Sequence, residues 1–142
     1  MRRNDMLEEA RRVITNSYSP YSRFPVAAVV RTKKGRIYTG VNVENSSYGL
    51  TVCAERVAVF KAVSEGDTDI EEVLIYTPTE EPTPPCGACR QVIAEFNPRA
   101  KIIMVSQSGK IVETSLDKLL PNAFTGERLK NEAIGANRID KR

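Results

Sequence analysis

Three cysteines and no histidine leave this chain of 142 residues few routes to chemistry, and they dictate which parts of it must meet. Cys53 stands in Thr51-Val52-Cys53-Ala54-Glu55-Arg56. Cys86 and Cys89 stand in Pro85-Cys86-Gly87-Ala88-Cys89. Both segments read as helix starts, where the helix dipole and unpaired N–H groups favour thiolate over thiol. A fold that brings these two helix starts together assembles three thiolates at one point. The C-x-x-C pair taken alone stays open between a redox pair, half of a zinc site and chance. An odd number of cysteines, behind a basic N-terminus that leads into no apolar signal core, argues against a disulfide framework. The absence of histidine excludes Ser-His-Asp and Cys-His catalysis, so acid–base work falls to a tuned carboxylate, a lysine, a thiol or a metal-bound water.

The rest of the chain alternates helical and strand signals. Met6, Leu7, Ala10, Val13 and Ile14 recur at helical spacing, which predicts a first amphipathic helix over about residues 5–17, ended by Ser19-Pro20. Val26 to Val30 and Ile37 to Val43 read as strands joined by a Lys33-Lys34-Gly35 turn. A polar loop covers 44–51, and Thr51 is the expected N-cap of a helix over 52–64 that stops near Gly66. Val73 to Tyr76 is a short buried strand, and the loop Thr77 to Pro85 holds four prolines. A third helix starts near Cys86 and ends at Asn97-Pro98. Two more strands, Ile102 to Val105 and Ile111 to Thr114, meet through Ser108-Gly109, and Ser115 to Leu120 makes a short final helix. This order predicts a three-layer α/β/α domain with a mixed five-stranded sheet. Residues 1–126 are expected to be the catalytic domain and 127–142 a polar, mobile C-terminal tail.

Charge and hydropathy narrow the partners. A net charge of +3 and a sequence pI near 8.8 come from scattered basic residues, which argues for solvated surface charge rather than a polynucleotide track. No stretch approaches the roughly 20 apolar residues that would span a bilayer. The expectation is a cytosolic protein with no nucleic-acid and no membrane partner.

Three sulfur ligands on a tetrahedral Zn²⁺ leave one position open, which is the catalytic arrangement, since structural sites are closed by a fourth residue. Glu55, two residues after Cys53, does not share a helical face with it and is badly placed to ligate beside it. Within the first turn it can point past the metal and exchange protons with water. A glutamate in a first helical turn also has a plain explanation in the helix dipole. Arg56 and Arg90 directly follow the two parts of the motif and are candidates to donate to the sulfurs and temper their charge.

A C-x-E pair followed some thirty residues later by P-C-x-x-C resembles the zinc nucleoside and nucleobase deaminase signature in an all-cysteine form. The likeness extends through Tyr18-Ser19-Pro20-Tyr21-Ser22-Arg23-Phe24-Pro25-Val26, the run Asn42 to Arg56, Pro85 to Val92, and Leu119-Leu120-Pro121-Asn122-Ala123-Phe124. Over about residues 5–125 the chain resembles the small, homotetrameric cytidine deaminases. That resemblance implies one Zn²⁺ on Cys53, Cys86 and Cys89, with Glu55 moving protons. It implies Phe24 against the pyrimidine, Asn42 and Glu44 on the sugar, and Tyr48 and Phe124 in active sites shared across subunits. Without the resemblance, Asn42 and Glu44 could be turn residues and Phe24 a core residue. Ala27 and Val41 depart from many relatives, which have glycine and cysteine there, and put local packing in question rather than chemistry.

The reaction so implied is hydrolytic deamination of cytidine and deoxycytidine, with loss of ammonia, in pyrimidine salvage. Loop carbonyls near Pro84-Pro85 are candidates to receive the departing amine. The rivals are a deaminase for modified or antibiotic aminonucleosides, a polynucleotide editor and a non-catalytic zinc module. An editor needs an aromatic-rich strand channel, and this chain has four Phe, five Tyr and no Trp.

Overall fold

The apolar period of the first segment becomes helix α1 (Arg2–Val13), continued by a 3-10 turn at Ile14–Asn16. The structure, a computed structural model, describes residues 2–131. Five strands follow: β1 (Ala27–Thr32), β2 (Ile37–Val41), β3 (Ile70–Thr77), β4 (Lys101–Ser106) and β5 (Ile111–Ser115). They form one sheet in the order β2-β1-β3-β4-β5, in which only β3 and β4 run parallel. The expected mixed five-stranded sheet is therefore present, with helices on both faces.

Strand periodicity decides which helix each residue meets. Ala27, Val29, Leu74, Ile103 and Val105 point to one side and pack with Met6, Ala10 and Val13 of α1. Ala28, Val30, Val73, Ile75, Ile102 and Met104 point to the other side. There they meet α2 (Ala54–Ser64) and α3 (Gly87–Phe96) through Ala54, Ala58, Val59, Ala62 and Ile93. All six residues of β1 are buried, as expected of a strand covered on both faces. Each fully buried Val, Leu or Ile of this core contributes roughly 1.5–3 kcal/mol of burial.

One glycine sets how close the site helix comes. A Cβ on Gly40 would lie 2.5 Å from the Ala54 carbonyl oxygen and 2.5 Å from the Ala58 nitrogen. Only glycine lets the first turn of α2 rest against β2 at this distance. In the sequence Gly40 stands inside a β-branched run with nothing beside it to mark a close approach.

Several boundaries differ from expectation. The second strand leaves the ladder at Val41, not Val43. The Asn42 N–H still reaches the Val26 carbonyl at 3.3 Å, but its carbonyl accepts from Tyr18 N–H at 3.0 Å. Val43 forms isolated bridges with Tyr18 and Val52. That pairing holds Val52 extended, so α2 starts at Ala54 with Cys53 as its N-cap, not Thr51. Thr51 instead accepts from the Asn45 N–H through its Oγ1, at 3.1 Å. The last expected helix shortens to α4 (Leu116–Leu119), and a further helical turn, α5 (Gly126–Asn131), takes up the start of the segment read as a tail. Residues 132–142 of that segment lie outside the described residues. Among the described residues, no helix is long and apolar enough to cross a membrane.

Candidate metal centre and active site

The two helix starts meet as the cysteines required. Cys53 caps α2 and Cys86 caps α3, and Cys89 lies in the first turn of α3, where its N–H donates to Cys86 Sγ at 3.4 Å. The Sγ atoms of Cys53 and Cys86 are 3.9 Å apart and those of Cys86 and Cys89 3.4 Å, with all three within 4.8 Å. A disulfide needs sulfurs at about 2.05 Å, so these are not bonded pairs. Sulfurs bound to one tetrahedral zinc at about 2.3 Å would lie about 3.8 Å apart, and the observed spacing fits that ion.

The electrostatics point the same way. The Cys53 thiol is pulled down to about 5, first by sharing a proton with Cys89 and then by the Arg56 guanidinium, against the opposing effect of burial. The same sharing with Cys53, together with burial, pushes the Cys89 thiol up. Three thiolates cannot ionise together at this distance without a cation, and a divalent ion is the partner that would stabilise them. Arg56 Nη2 donates to Cys53 Sγ at 3.5 Å.

Arg90 does otherwise. Its Nε donates to the Pro85 carbonyl at 2.8 Å and its Nη1 to the Leu119 carbonyl at 2.7 Å. It ties the loop before Cys86 to the end of α4 rather than touching sulfur. The Pro85 carbonyl, one candidate for the departing amine, is already engaged by this contact. Next to Arg90, Gln91 Nε2 donates to the Phe124 carbonyl at 2.8 Å, so α3 anchors the C-terminal segment as well as the metal ligands.

Glu55 occupies the first turn of α2 and is 5% exposed. Burial pushes its carboxyl up to about 7, and the neighbouring Cys53 charge adds to this. Its own backbone N–H, Arg56 and Cys89 oppose the rise without cancelling it. A carboxyl in this state can take and return a proton near neutral pH.

Asn42 and Glu44 lie beside this centre through the Val43–Val52 bridge. The bridge is antiparallel, so Asn42 runs alongside Cys53 and Glu44 alongside Thr51. Both side chains are nearly buried and hold the loop that carries Phe24. Asn42 Oδ1 accepts from Val26 N–H at 2.9 Å and from the Ser17 hydroxyl, while its Nδ2 donates to the Phe24 carbonyl at 2.9 Å. Glu44 Oε1 accepts from the N–H groups of Tyr21 and Ser22 at 2.9 and 3.1 Å, and its Oε2 from the Ser22 hydroxyl. The Ser22 hydroxyl and these backbone donors hold the Glu44 carboxyl below its ordinary value against burial.

Glu44 also lines a cavity of about 300 Å³ with Tyr21, Ser22, Asn45, Tyr48 and Thr51. The rings of Tyr21 and Tyr48 meet edge to face there, with centroids 6.2 Å apart. Phe24, Tyr48 and Phe124 are 38%, 77% and 58% exposed on the single chain. The structure thus gathers the three cysteines, Glu55 and Arg56 into one cluster, and places Asn42 and Glu44 at its flank. Tyr48 reaches Glu44 only across the cavity, and Phe124 stays on the surface beside α3. Ser17, Ser22 and Gln91 escaped the sequence reading, since their roles depend on which loop each meets.

Three thiols at two helix starts, with a buried carboxyl beside them, define a zinc-type catalytic centre on an α/β/α sheet. The family model described as "Cytidine and deoxycytidylate deaminase zinc-binding region" matches residues 1–106. A protein named cytidine deaminase from Halalkalibacterium halodurans is 46% identical over 132 residues, 92% of this chain and 100% of that one. Another of that name, from Sporosarcina psychrophila, is 46% identical over 129 residues, 90% and 95% of the two chains. The crystal structure of cytidine deaminase from Burkholderia pseudomallei superposes with a TM-score of 0.82 at 39% identity, covering 85% of this chain and 98% of that one. The chain belongs to the cytidine and deoxycytidylate deaminase family.

Proposed function

We propose that this protein hydrolyses the C4 amine of cytidine and deoxycytidine, giving uridine or deoxyuridine and ammonia. The observation that carries this reading is the clustering of Cys53, Cys86 and Cys89 with Glu55, a buried carboxyl two residues from Cys53 in the first turn of α2. Its relatives named cytidine deaminase, which it matches over nearly their whole length, support the substrate class.

Cys53, Cys86 and Cys89 would hold zinc, a Lewis acid that makes a proton of water easier to remove. Glu55 would accept that proton and deliver it to the pyrimidine ring nitrogen, then take the remaining proton of the hydroxyl added at C4 and pass it to the amine that leaves. One water enters and one ammonia departs, so no other reactant is needed. Arg56 would moderate the charge of Cys53. Phe24 would lie against the pyrimidine, and Asn42 and Glu44 would face the sugar hydroxyls from the end of the cavity that Glu44 lines.

Exposure of Tyr48 and Phe124 supports a homotetramer in which those rings complete neighbouring sites, since large exposed aromatics mark contact surfaces. Residues 1–126 would form the catalytic domain, and a place in pyrimidine salvage in the cytoplasm accords with the reaction. The test follows ultraviolet absorbance with cytidine, deoxycytidine and cytosine, before and after removal of metal by a chelator. Turnover of both nucleosides, lost on chelation and restored by zinc, is expected. No ammonia release from either nucleoside by zinc-loaded protein would overturn the proposal.

A further inference from the structure

Between Glu44 and the ring of Phe24 stands a side chain with no part in the chemistry above, Ser22. Its hydroxyl donates to Glu44 Oε2 and accepts from the Phe24 N–H at 3.1 Å. Its own N–H, with that of Tyr21, donates to the other carboxylate oxygen. Arg23, the intervening residue, has φ +57°, a left-handed backbone that a non-glycine residue rarely adopts. This turn brings the Phe24 N–H back to the Ser22 hydroxyl, and the Arg23 N–H closes it on the Ser19 carbonyl at 2.9 Å. On the far side Asn42 Nδ2 grips the Phe24 carbonyl. Phe24 is therefore held by its N–H through Ser22 and by its C=O through Asn42.

We infer that Ser22 is a positioning residue that fixes the Glu44 carboxylate and the Phe24 ring at one spacing, so that sugar and base are gripped as a unit. The inference rests on the proposed deamination of cytosine nucleosides. A hydroxyl is the group the position requires, because it donates to a carboxylate and accepts from an N–H at once. Alanine or valine would strip Glu44 Oε2 of a donor and Phe24 of an acceptor. Because Cys53, Cys86, Cys89 and Glu55 are untouched by this hydroxyl, the loss falls on substrate placement more than on proton transfer.

Ser22 is exposed, which gives β-branched replacements room, so Ser22→Thr and Ser22→Val form a matched pair of nearly equal shape. Zinc-loaded full-length variants are compared for kcat, KM and zinc content with cytidine, and for amide exchange at Phe24. Ser22→Val should raise KM roughly tenfold, the size of one lost charged hydrogen bond, with a smaller change in kcat. Zinc content should match the parent, and the Phe24 amide should exchange faster. Ser22→Thr, which keeps the hydroxyl, should restore KM and exchange to near the parent values. Equal behaviour of the two variants in KM and exchange would overturn the inference, as would a fall in kcat with KM unchanged. A parent protein that releases no ammonia from cytidine overturns the proposed function instead. The exchange comparison still decides whether the Ser22 tether exists.

Discussion

Helix α2 has a buried carboxylate near each end, and the fold treats the two oppositely. Glu55, in its first turn, is 5% exposed; Asp67, three residues past its last, is 1% exposed. A helix dipole favours an anion at the N-terminus and opposes one at the C-terminus, which on its own would lower Glu55 and raise Asp67. The reverse is found. Burial lifts Glu55 to about 7. Burial also lifts Asp67, but hydrogen bonds from Thr32 Oγ1 at 2.7 Å and the Tyr38 hydroxyl at 3.0 Å, with the charges of Lys34 and Arg36, outweigh it and leave this carboxyl below its ordinary value. Donors within reach, not position on the helix, decide the protonation state. Asp67 is a charged strut joining the β1–β2 hairpin to the end of α2. Glu55 has no such hydroxyl donors, and burial leaves its carboxyl near 7, where it can gain or lose a proton close to neutral pH.

The largest effect should come from removing that tradeable proton. Glu55→Gln preserves size but removes the titrating group, so zinc content should hold while kcat falls by at least ~10²–10⁴-fold, as for a lost general acid–base group. The melting temperature should not fall, because a neutral amide has no charge to desolvate. Metal analysis, kinetics and thermal melting check all three. Turnover within tenfold of the parent would remove Glu55 from the chemistry and leave the two carboxylates alike in role.

How much of this contrast was legible in the sequence differs between its two halves. Cys53-x-Glu55 and Pro85-Cys86-x-x-Cys89 declare their chemistry by residue type and local spacing, so the site centre could be read directly. The sheet was legible for a similar reason, since β-branched runs bounded by Gly and Pro fix strand order along the chain. Asp67 was not legible: an aspartate after Gly66 reads as a loop residue until Thr32 and Tyr38 are known to meet it. Gly40 likewise shows its function only once α2 lies on β2. Asn42 and Glu44 were half legible. Their alternation with Val41 and Val43 persists beyond the strand, but the bonds to Ser17, Ser22 and Phe24 come from a loop about twenty residues away.

Glu44 sharpens the comparison because it shares features with both partners. Like Asp67 it is held ionised by donors, and its segment runs beside the one that leads into Glu55, Val43 pairing with Val52. If it contacts the sugar, Glu44→Ala should cut kcat/KM for cytidine by roughly 10²-fold, with zinc unchanged. The loss for 3′-deoxycytidine should be much smaller, since that analogue lacks the hydroxyl to be recognised. Equal losses for the two substrates would leave Glu44 with the tether of the Tyr21–Phe24 loop as its whole role and place it with Asp67.

The smallest effect should come from Asp67 itself, and it should appear in stability alone. Asp67→Asn should leave kcat for cytidine close to the parent value and lower the melting temperature by a few degrees near neutral pH. The sign with pH follows from the depressed carboxyl. Folding favours the ionised form, so the stabilisation is fully present above the unfolded value of about 3.9 and is lost as pH falls through the lower folded value. Asparagine has no such proton equilibrium. The gap in melting temperature between parent and variant should therefore be nearly constant through mildly acidic pH and close below about pH 4. Thr32→Val removes only one donor, so it should produce a smaller gap at neutral pH while leaving the carboxylate in place. A gap that stays constant to the lowest accessible pH would mean that the Asp67 charge contributes nothing. If Asp67→Asn instead abolished deamination with zinc intact, the strut would belong to the active site, and the division of labour along α2 would fail.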